Sequence, residues 1–375
     1  MLDDSLLDTP DALSEADRRD LLRGAAEAGA RVRTAIRLGT EAGIPDLKPD
    51  GRPRALLIAG PGMASAGVAD LLGALAGSNC PLTRIHPTGV APAAGALRWD
   101  LPGWAGPVDL LLIATADGTE PGLAILVEQA YRRGCTIVAV APAHTPVAEA
   151  LAGAHGLFVP MATAPYEQEV PLGASAPGIL WALLTPMLAL LDRTGLVTAP
   201  LDALQKIADR LDNVAERCGP AIATYNNPAK TLAAELADAL PVIWTEGQAA
   251  GPVGRRFASA LAELAGRPAL AAQLPEALAS HTVLLSGPLA ASADPDDFFR
   301  DRVEESPALH ARVVLLCDSP SNGLSAVPAA RELALGHDTA ISELEPEEGS
   351  DLETLAEMIA ITDFAAVYLS LASGA

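Results

Sequence analysis

The stretch Val108–Pro142, VDLLLIATADGTEPGLAILVEQAYRRGCTIVAVAP, decides the fold. It opens with a continuous apolar run up to Thr115, which is typical of a strand buried on both faces. Asp117–Thr119 then interrupts the run, Pro121 stands where the first turn of a helix tolerates proline, and helical spacing continues to Gly134. A second apolar run ends the stretch. Strand, helix and strand in this order indicate a βαβ unit of a parallel sheet.

The turn after the first of these strands is the first candidate for a ligand site. Parallel sheets bind ligands outside the carboxyl ends of their strands, where helix N-termini present free N–H groups to anions. Thr115–Thr119 occupies such a position. We therefore expect a ligand at this turn.

Composition and charge narrow the class of protein. At 375 residues, half of them hydrophobic, the chain is long enough for two or three domains with real cores. The net charge of −22 argues against nucleic-acid or anionic-membrane partners. A composition with three lysines among 25 basic residues is typical of a GC-rich bacterial genome.

Four widely spaced cysteines match no zinc pattern and favour a reduced, cytoplasmic protein. The acidic N-terminus does not resemble a signal peptide, and no uninterrupted apolar run reaches the length of a membrane span.

Hydrophobic periodicity predicts an α/β protein with two doubly wound parallel-sheet domains and flanking helices. We expect N-terminal helices over residues 1–45, a first domain over 46–196, a connecting helix over 197–218 and a second domain over 219–375. In the first domain Gly60–Gly67 is predicted as a loop, and in the second His281–Ser286 is predicted as a strand. Two helices, Ala176–Leu191 and Leu352–Ala372, are more apolar than independent domains need. They predict a homodimer that buries at least one of them.

The loop Gly60–Gly67, GPGMASAG, follows a predicted strand and precedes a predicted helix. Its glycines, among them Gly62, allow a ligand to approach the backbone closely. Ser65 can donate a hydrogen bond to an oxyanion. A tight turn without a ligand explains the loop equally well. The pattern is not GxGxxG, so a dinucleotide is not indicated.

Six motifs follow one another in a particular order: GPGMASAG, ATADGTEPG, NPAK (Asn227–Lys230), GRRFASALAELAGRPA (Gly254–Ala269), LPEALASH (Leu274–His281) and TDFAAVYLSLASG near the C-terminus. Their order resembles that of the sugar isomerase (SIS) proteins of the bifunctional phosphoglucose/phosphomannose isomerase type. The resemblance covers the chain from about Ala55. It implies two SIS domains, each a flavodoxin-like three-layer sandwich, and a homodimer. It also implies aldose–ketose isomerisation of sugar 6-phosphates through an enediol, with no cofactor and no metal.

The resemblance implies a phosphate loop of the pattern SxSGNTEE, which here reads Ala114–Pro121. Both serine positions are alanine, so Thr115 and Thr119 remain as hydroxyl donors. Asp117 adds a negative charge where a phosphate dianion would bind, which is unfavourable. This loop is therefore expected to hold phosphate weakly.

The catalytic residues implied by the resemblance are Glu263 as the base and His281 for ring opening, with Arg256 in contact with the substrate. Glu263 follows Arg256 by seven residues, as in the family pattern RWKxQxNENAK, although the lysine of that pattern is Gly266 here. Glu263 is equally explained as a solvated helix residue paired with Arg267. His281 lies two residues later than the family histidine, and a structural role is the alternative; His337 is a weaker substitute.

Two cations of the family pattern are absent from the sequence. No arginine occurs between Arg133 and Arg193, and the segment equivalent to the family arginine is 171–174. No lysine follows Lys230, although the family carries an active-site lysine near its C-terminus.

These losses leave three hypotheses. The first is a cytoplasmic protein that binds a sugar phosphate or a related sugar derivative, with isomerase activity weak or lost. The second is an active isomerase in which Arg255, Arg256 or a partner subunit replaces the missing groups. The third is a non-catalytic regulatory partner of a sugar-phosphate enzyme.

Overall fold

The computed structural model describes residues 4–49, 51–77, 79–163, 176–286, 310–318 and 324–374. The chain forms two compact units. The first unit comprises residues 19–213, and the second combines residues 1–18 with 214–375. The N-terminal segment therefore belongs to the unit that the C-terminal part of the chain builds.

The first unit contains a five-stranded parallel sheet in the order β2-β1-β3-β4-β5. The predicted βαβ unit is confirmed as β3, α6 and β4. Every residue of β3 is buried, as the continuous apolar run predicts. The elements are α3 (Leu21–Ala26), α4 (Ala28–Glu41), β1 (Leu56–Ala59), α5 (Gly62–Ala76), β2 (Leu82–Ile85), β3 (Leu110–Ala114), α6 (Pro121–Arg132), β4 (Thr136–Pro142), α7 (Pro146–Gly153), β5 (Leu157–Met161), α8 (Ile179–Arg193) and α9 (Leu201–Arg217), the last of which ends in the second unit.

The second unit contains a four-stranded parallel sheet in the order β7-β6-β8-β9. Its long strands β6 and β8 pair over eight residues and form the centre of the sheet. The elements are α1 (Asp4–Leu7), α2 (Pro10–Ala16), α10 (Pro228–Leu236), β6 (Ala239–Glu246), α11 (Ala250–Ala265), β7 (Leu270–Gln273), α12 (Glu276–Ser286), β8 (His310–Cys317), α13 (Val327–Gly336), β9 (Ile341–Leu344) and α14 (Asp351–Ser373). Two parallel sheets with helices between their strands confirm the predicted fold class.

Two local predictions are wrong. His281–Ser286 is the second half of helix α12 and not a strand. A short apolar run has no period that separates a strand from a helix, and the hydroxyl of Thr282 donates to the carbonyl of Leu278, one helical turn back. The Gly60–Gly67 loop is also shorter than predicted, because α5 begins at Gly62.

The two apolar helices do not need a second subunit to cover them. In α8, twelve of its fifteen residues are buried within the first unit, where it packs against α4 and α5. In the second unit, α14 packs against α10 and α11 and is buried along almost its whole length. The reason given for a homodimer is therefore wrong, since the chain itself covers both helices.

Helix α14 is long and apolar enough to cross a membrane by length and composition alone. Its most apolar 18-residue window is entirely buried inside the protein. The helix also carries Glu357 and Asp363, whose side chains are both paired with arginines of the same unit. These features are those of a core helix.

Candidate functional site

The first unit brings together the two loops that sequence analysis singled out. In the order β2-β1-β3-β4-β5, β2 lies on one side of β1, and β3 and the later strands lie on the other side, so the order of the strands reverses between β1 and β3. Open α/β sheets bind ligands in the crevice at such a switch point. A Cβ at Gly60, after β1, would clash with the Ala114 carbonyl at the end of β3. Glycine is therefore required here for the two loops to meet. We call the space above them the first crevice.

Ser65 lies in the first turns of α5, at the floor of the first crevice. Its residue is 1% exposed, and its Oγ has no hydrogen-bond partner in the part of the chain that the structure describes. Buried hydroxyls are nearly always paired, and leaving one unpaired costs about 1–3 kcal/mol. Gly62 precedes it with φ of +76°, and no atom lies within 4 Å of the position a Cβ would take. An unpaired buried donor that lies close to Gly60, in the turn that ends β1, is an arrangement that suits a bound polar ligand.

Thr115, the second predicted hydroxyl, is used inside its own loop. Its Oγ1 donates to the Glu120 carboxylate, with distances of 3.0 and 3.1 Å to the two oxygens, and accepts from the Gly118 N–H at 3.0 Å. Thr115 and Glu120 are both fully buried. Burial raises the pKa of the Glu120 carboxyl, and the hydrogen bonds from its own N–H and from Thr115 oppose that shift.

The outer face of this loop is what remains for a ligand. Thr119 is exposed at the N-terminus of α6, as a phosphate contact requires. Sequence reasoning gave Asp117 as the carboxylate of the loop and missed Glu120. Glutamate is common at the N-terminus of a helix, where its charge is favourable, so the sequence alone does not show that Glu120 is buried.

In the second unit, Glu263 and Arg256 lie two turns apart on α11 and differ in environment. Arg256 is 5% exposed, and its Nη2 lies 2.8 Å from the Asp363 carboxylate of α14. Glu263 is exposed near the end of the helix. The protein around the Glu263 carboxyl raises its pKa, and Arg256 opposes this. A carboxyl with a raised pKa suits a general base.

His281, on α12, is held by a buried tryptophan. The indole N–H of Trp244 donates to Nδ1 of His281 at 2.8 Å, so the proton of the neutral ring is on Nε2. Trp244 is fully buried in β6. Burial lowers the pKa of His281. A neutral imidazole with a fixed tautomer fits a structural acceptor, and its Nε2–H is the atom left for any chemistry.

A polar cavity of about 300 Å³ lies in the second unit beside the ends of β6 and β7. Its lining includes Thr245, Arg255, Gln273, Glu276 and Ser280. These side chains include donors and acceptors that could bind the hydroxyls of a sugar. Arg255, not Arg256, is therefore the arginine of α11 that faces an open cavity.

The segment 171–174, where the resemblance puts an arginine, lies outside the described residues. A cavity of about 180 Å³ at the end of β5 in the first unit is lined by a different arginine, Arg31 of α4. Arg31 is 8% exposed, and its Nη2 lies 3.5 Å from the Glu27 carboxylate. Sequence reasoning missed Arg31 because it lies far from any motif. Among the described residues, no group of three His, Cys, Asp or Glu side chains could hold a metal ion.

Comparison with known proteins agrees with this architecture. A structure of tagatose-6-phosphate ketose/aldose isomerase from Escherichia coli is 13% identical with a TM-score of 0.55, over 94% of this chain and 90% of that one. The C-terminal domain of glucosamine-fructose-6-phosphate aminotransferase from Francisella tularensis is 12% identical with a TM-score of 0.52, over 94% and 95%. A hypothetical protein from Thermus thermophilus is 12% identical with a TM-score of 0.60, over 96% and 89%.

At such low identity these structures establish the fold, and the chain is a protein of two SIS-type domains. Residues 225–375 match the family described as the bacterial phospho-glucose isomerase C-terminal SIS domain. A search of curated protein sequences gives no match.

Proposed function

We propose that this protein binds a sugar phosphate, or a related sugar derivative, and that its aldose–ketose isomerase activity is weak or lost. The observation that carries this proposal is Ser65, a buried hydroxyl without a partner among the described residues, which lies close to Gly60 in the first crevice. The family match of residues 225–375 supports the ligand class.

The weakness of the isomerase follows from the groups that the family pattern requires for binding phosphate and for catalysis. Two alanines, Ala114 and Ala116, stand at the serine positions of the family phosphate loop, and Thr115 is bonded to Glu120. Arg256 is buried against Asp363 and is not placed to neutralise an enediolate. Each preorganised electrostatic group is worth about 10²–10³ in rate. Loss of two or three should leave little turnover.

Thermal denaturation with fructose 6-phosphate and mannose 6-phosphate tests the binding. A ligand that binds only the folded state raises the Tm. We expect such a rise for the wild type, and a smaller one for Ser65→Ala. Without ligand, Ser65→Ala should be at least as stable as the wild type, because the hydroxyl it removes has no partner to lose. Ser259→Ala, on the exposed face of α11, is the matched control and should keep the full shift. No shift with any sugar phosphate would favour a regulatory protein instead.

An active isomerase is the second candidate, and Glu263 favours it, since partial burial raises the pKa of its carboxyl, which suits proton abstraction. A coupled assay with glucose 6-phosphate and mannose 6-phosphate decides between the two. Robust turnover that Glu263→Gln abolishes would establish the isomerase. Turnover that survives Glu263→Gln would place the chemistry elsewhere.

The proposal includes a cytoplasmic location and a homodimer. All four cysteines are free, as is normal in a reducing compartment. The homodimer rests on the resemblance alone, and sedimentation at micromolar concentration tests it.

A further inference from the structure

The second unit has a crevice that corresponds to the first one. In the order β7-β6-β8-β9, the chain changes direction between β6 and β8, just as it does between β1 and β3 in the first unit. The loop after β6 leads to the N-terminus of α11, a helix of sixteen residues. By topology alone, this second crevice would be a ligand site like the first.

A side chain of the protein occupies the second crevice. Asp318, the residue after β8, places its Oδ2 at 2.7 Å from the Ala249 N–H and 3.3 Å from the Ala250 N–H. Its own N–H donates to the Glu246 carbonyl at 3.1 Å, which fixes the backbone beside β6. A carboxylate therefore sits where an anionic ligand would meet the N-terminus of α11.

The backbone around Asp318 is shaped to admit this carboxylate. Gly247 has φ of +109°, a conformation that favours glycine, and a Cβ there would overlap the Asp318 carboxylate. The neighbouring Glu246 carboxylate is also engaged, since it accepts from Ser325 Oγ and from the Ala326 N–H at the start of α13. The first crevice differs, because Ser65 has no partner there among the described residues and the space beside Gly62 is open.

We propose that Asp318 is a built-in anion that closes the second crevice to ligands, so that the chain offers one such crevice, in the first unit, and not two. By accepting from two N–H groups at the start of α11, the carboxylate occupies the place where an anionic ligand would bind. The inference concerns the second unit and does not depend on what the first crevice binds.

Titration calorimetry with inorganic phosphate tests the inference by stoichiometry. Asp318→Ala empties the crevice, and we expect this variant to bind one more phosphate per chain than the wild type, whatever number the wild type binds. Asp318→Asn removes the charge but keeps an amide oxygen on the Ala249 and Ala250 N–H groups. It should bind no more phosphate than the wild type. Asp351→Ala removes a nearby exposed carboxylate without emptying the crevice, and it too should show no gain.

Amide NMR of the wild-type protein gives a second readout that does not depend on a variant folding. The Ala249 and Ala250 resonances should not move when phosphate is added. Movement of these resonances in the wild type would overturn the inference. So would a folded Asp318→Ala without an additional site, or an equal gain in Asp318→Asn, which would assign the effect to charge and not to occupancy. Failure of the proposed function would appear separately, as the absence of sugar-phosphate binding by the wild-type protein.

Discussion

At the scale of single residues, His281 shows how one hydrogen bond fixes a protonation state. Its Nδ1 accepts the indole proton of Trp244, and a protonated ring would present a donor to that donor. Protonation must therefore break the contact with the core of the second unit. Burial of the ring, which disfavours its charged form, also lowers the pKa of His281 from the ordinary value of 6.5.

This arrangement predicts a dependence of stability on pH. In the window between the unfolded pKa of about 6.5 and the lower folded pKa, the unfolded chain binds a proton that the folded chain does not. The stabilisation from neutral His281 is thus fully present above that window and is lost as the pH falls through the folded pKa. Urea unfolding followed by tryptophan fluorescence at several pH values measures it.

Variants separate His281 from the other histidines. His281→Phe leaves the Trp244 N–H without its acceptor and should cost about 1–3 kcal/mol near neutral pH, with a shallower pH slope. His86→Gln, at an exposed position, should leave the slope unchanged. An unchanged slope in His281→Phe would show that the histidine does not titrate with folding.

Arg256 and Asp363 form a buried pair between α11 and α14, with side chains 3% and 6% exposed. Asp363→Asn removes the carboxylate that neutralises the buried guanidinium, and should lower the free energy of unfolding by about 3–5 kcal/mol. The control is Glu343→Gln, which breaks the exposed pair with Arg331 and should cost about 0–1 kcal/mol. Equal costs in denaturant unfolding would contradict a core role for Arg256. If Asp363→Asn strongly lowers the free energy of unfolding, a loss of ligand binding in this variant would follow from destabilisation and would need no contact between Arg256 and the substrate.

At the scale of elements, what the sequence predicts depends on periodicity. The stretch Val108–Pro142 carries a full strand, helix and strand pattern, and the structure confirms all three elements. The run His281–Ser286 is too short to show a period, so the sequence predicts the wrong class for this part of α12. The candidate site is less predictable still. Ser65 follows from a local motif. Its lack of a hydrogen-bond partner among the described residues, and the partners of Thr115 and Asp318, depend on contacts that no motif contains.

The N-terminal segment is an element that the sequence did not assign to the second unit. Lys230, fully buried, donates from Nζ to the carbonyls of Leu7, Pro220 and Ile222 at 2.6–2.8 Å. The Asp8 carboxylate accepts from the Thr224 N–H and Oγ1. The lysine of the NPAK motif therefore fastens helix α1 to the unit built by the C-terminal residues.

Lys230→Met should destabilise the protein by about 3 kcal/mol or more, because three carbonyls lose a charged donor. Lys206→Met, the same change on the exposed face of α9, should stay within about 0.5 kcal/mol. Deletion of residues 1–8 removes one of the three acceptors. The deletion and Lys230→Met should cost less together than the sum of their separate costs. Strict additivity in denaturant unfolding would mean that Lys230 does not hold the segment.

At the scale of the whole molecule, two parallel-sheet units with corresponding switch points differ in what fills their crevices. The first crevice contains an unpaired Ser65 hydroxyl and an open glycine turn, and the second contains the Asp318 carboxylate. A chain of net charge −22 does not attract anions in general. Specific donors, such as Ser65 and the N–H groups at the start of α5, must therefore provide any affinity for a phosphate.

Calorimetric titration of the full-length protein with fructose 6-phosphate, in phosphate-free buffer, tests the central claim most directly. We expect saturable binding at one site per chain, weakened in Ser65→Ala and unaffected in Ser259→Ala. Absence of binding at millimolar ligand, or binding that Ser65→Ala leaves unchanged, would contradict it.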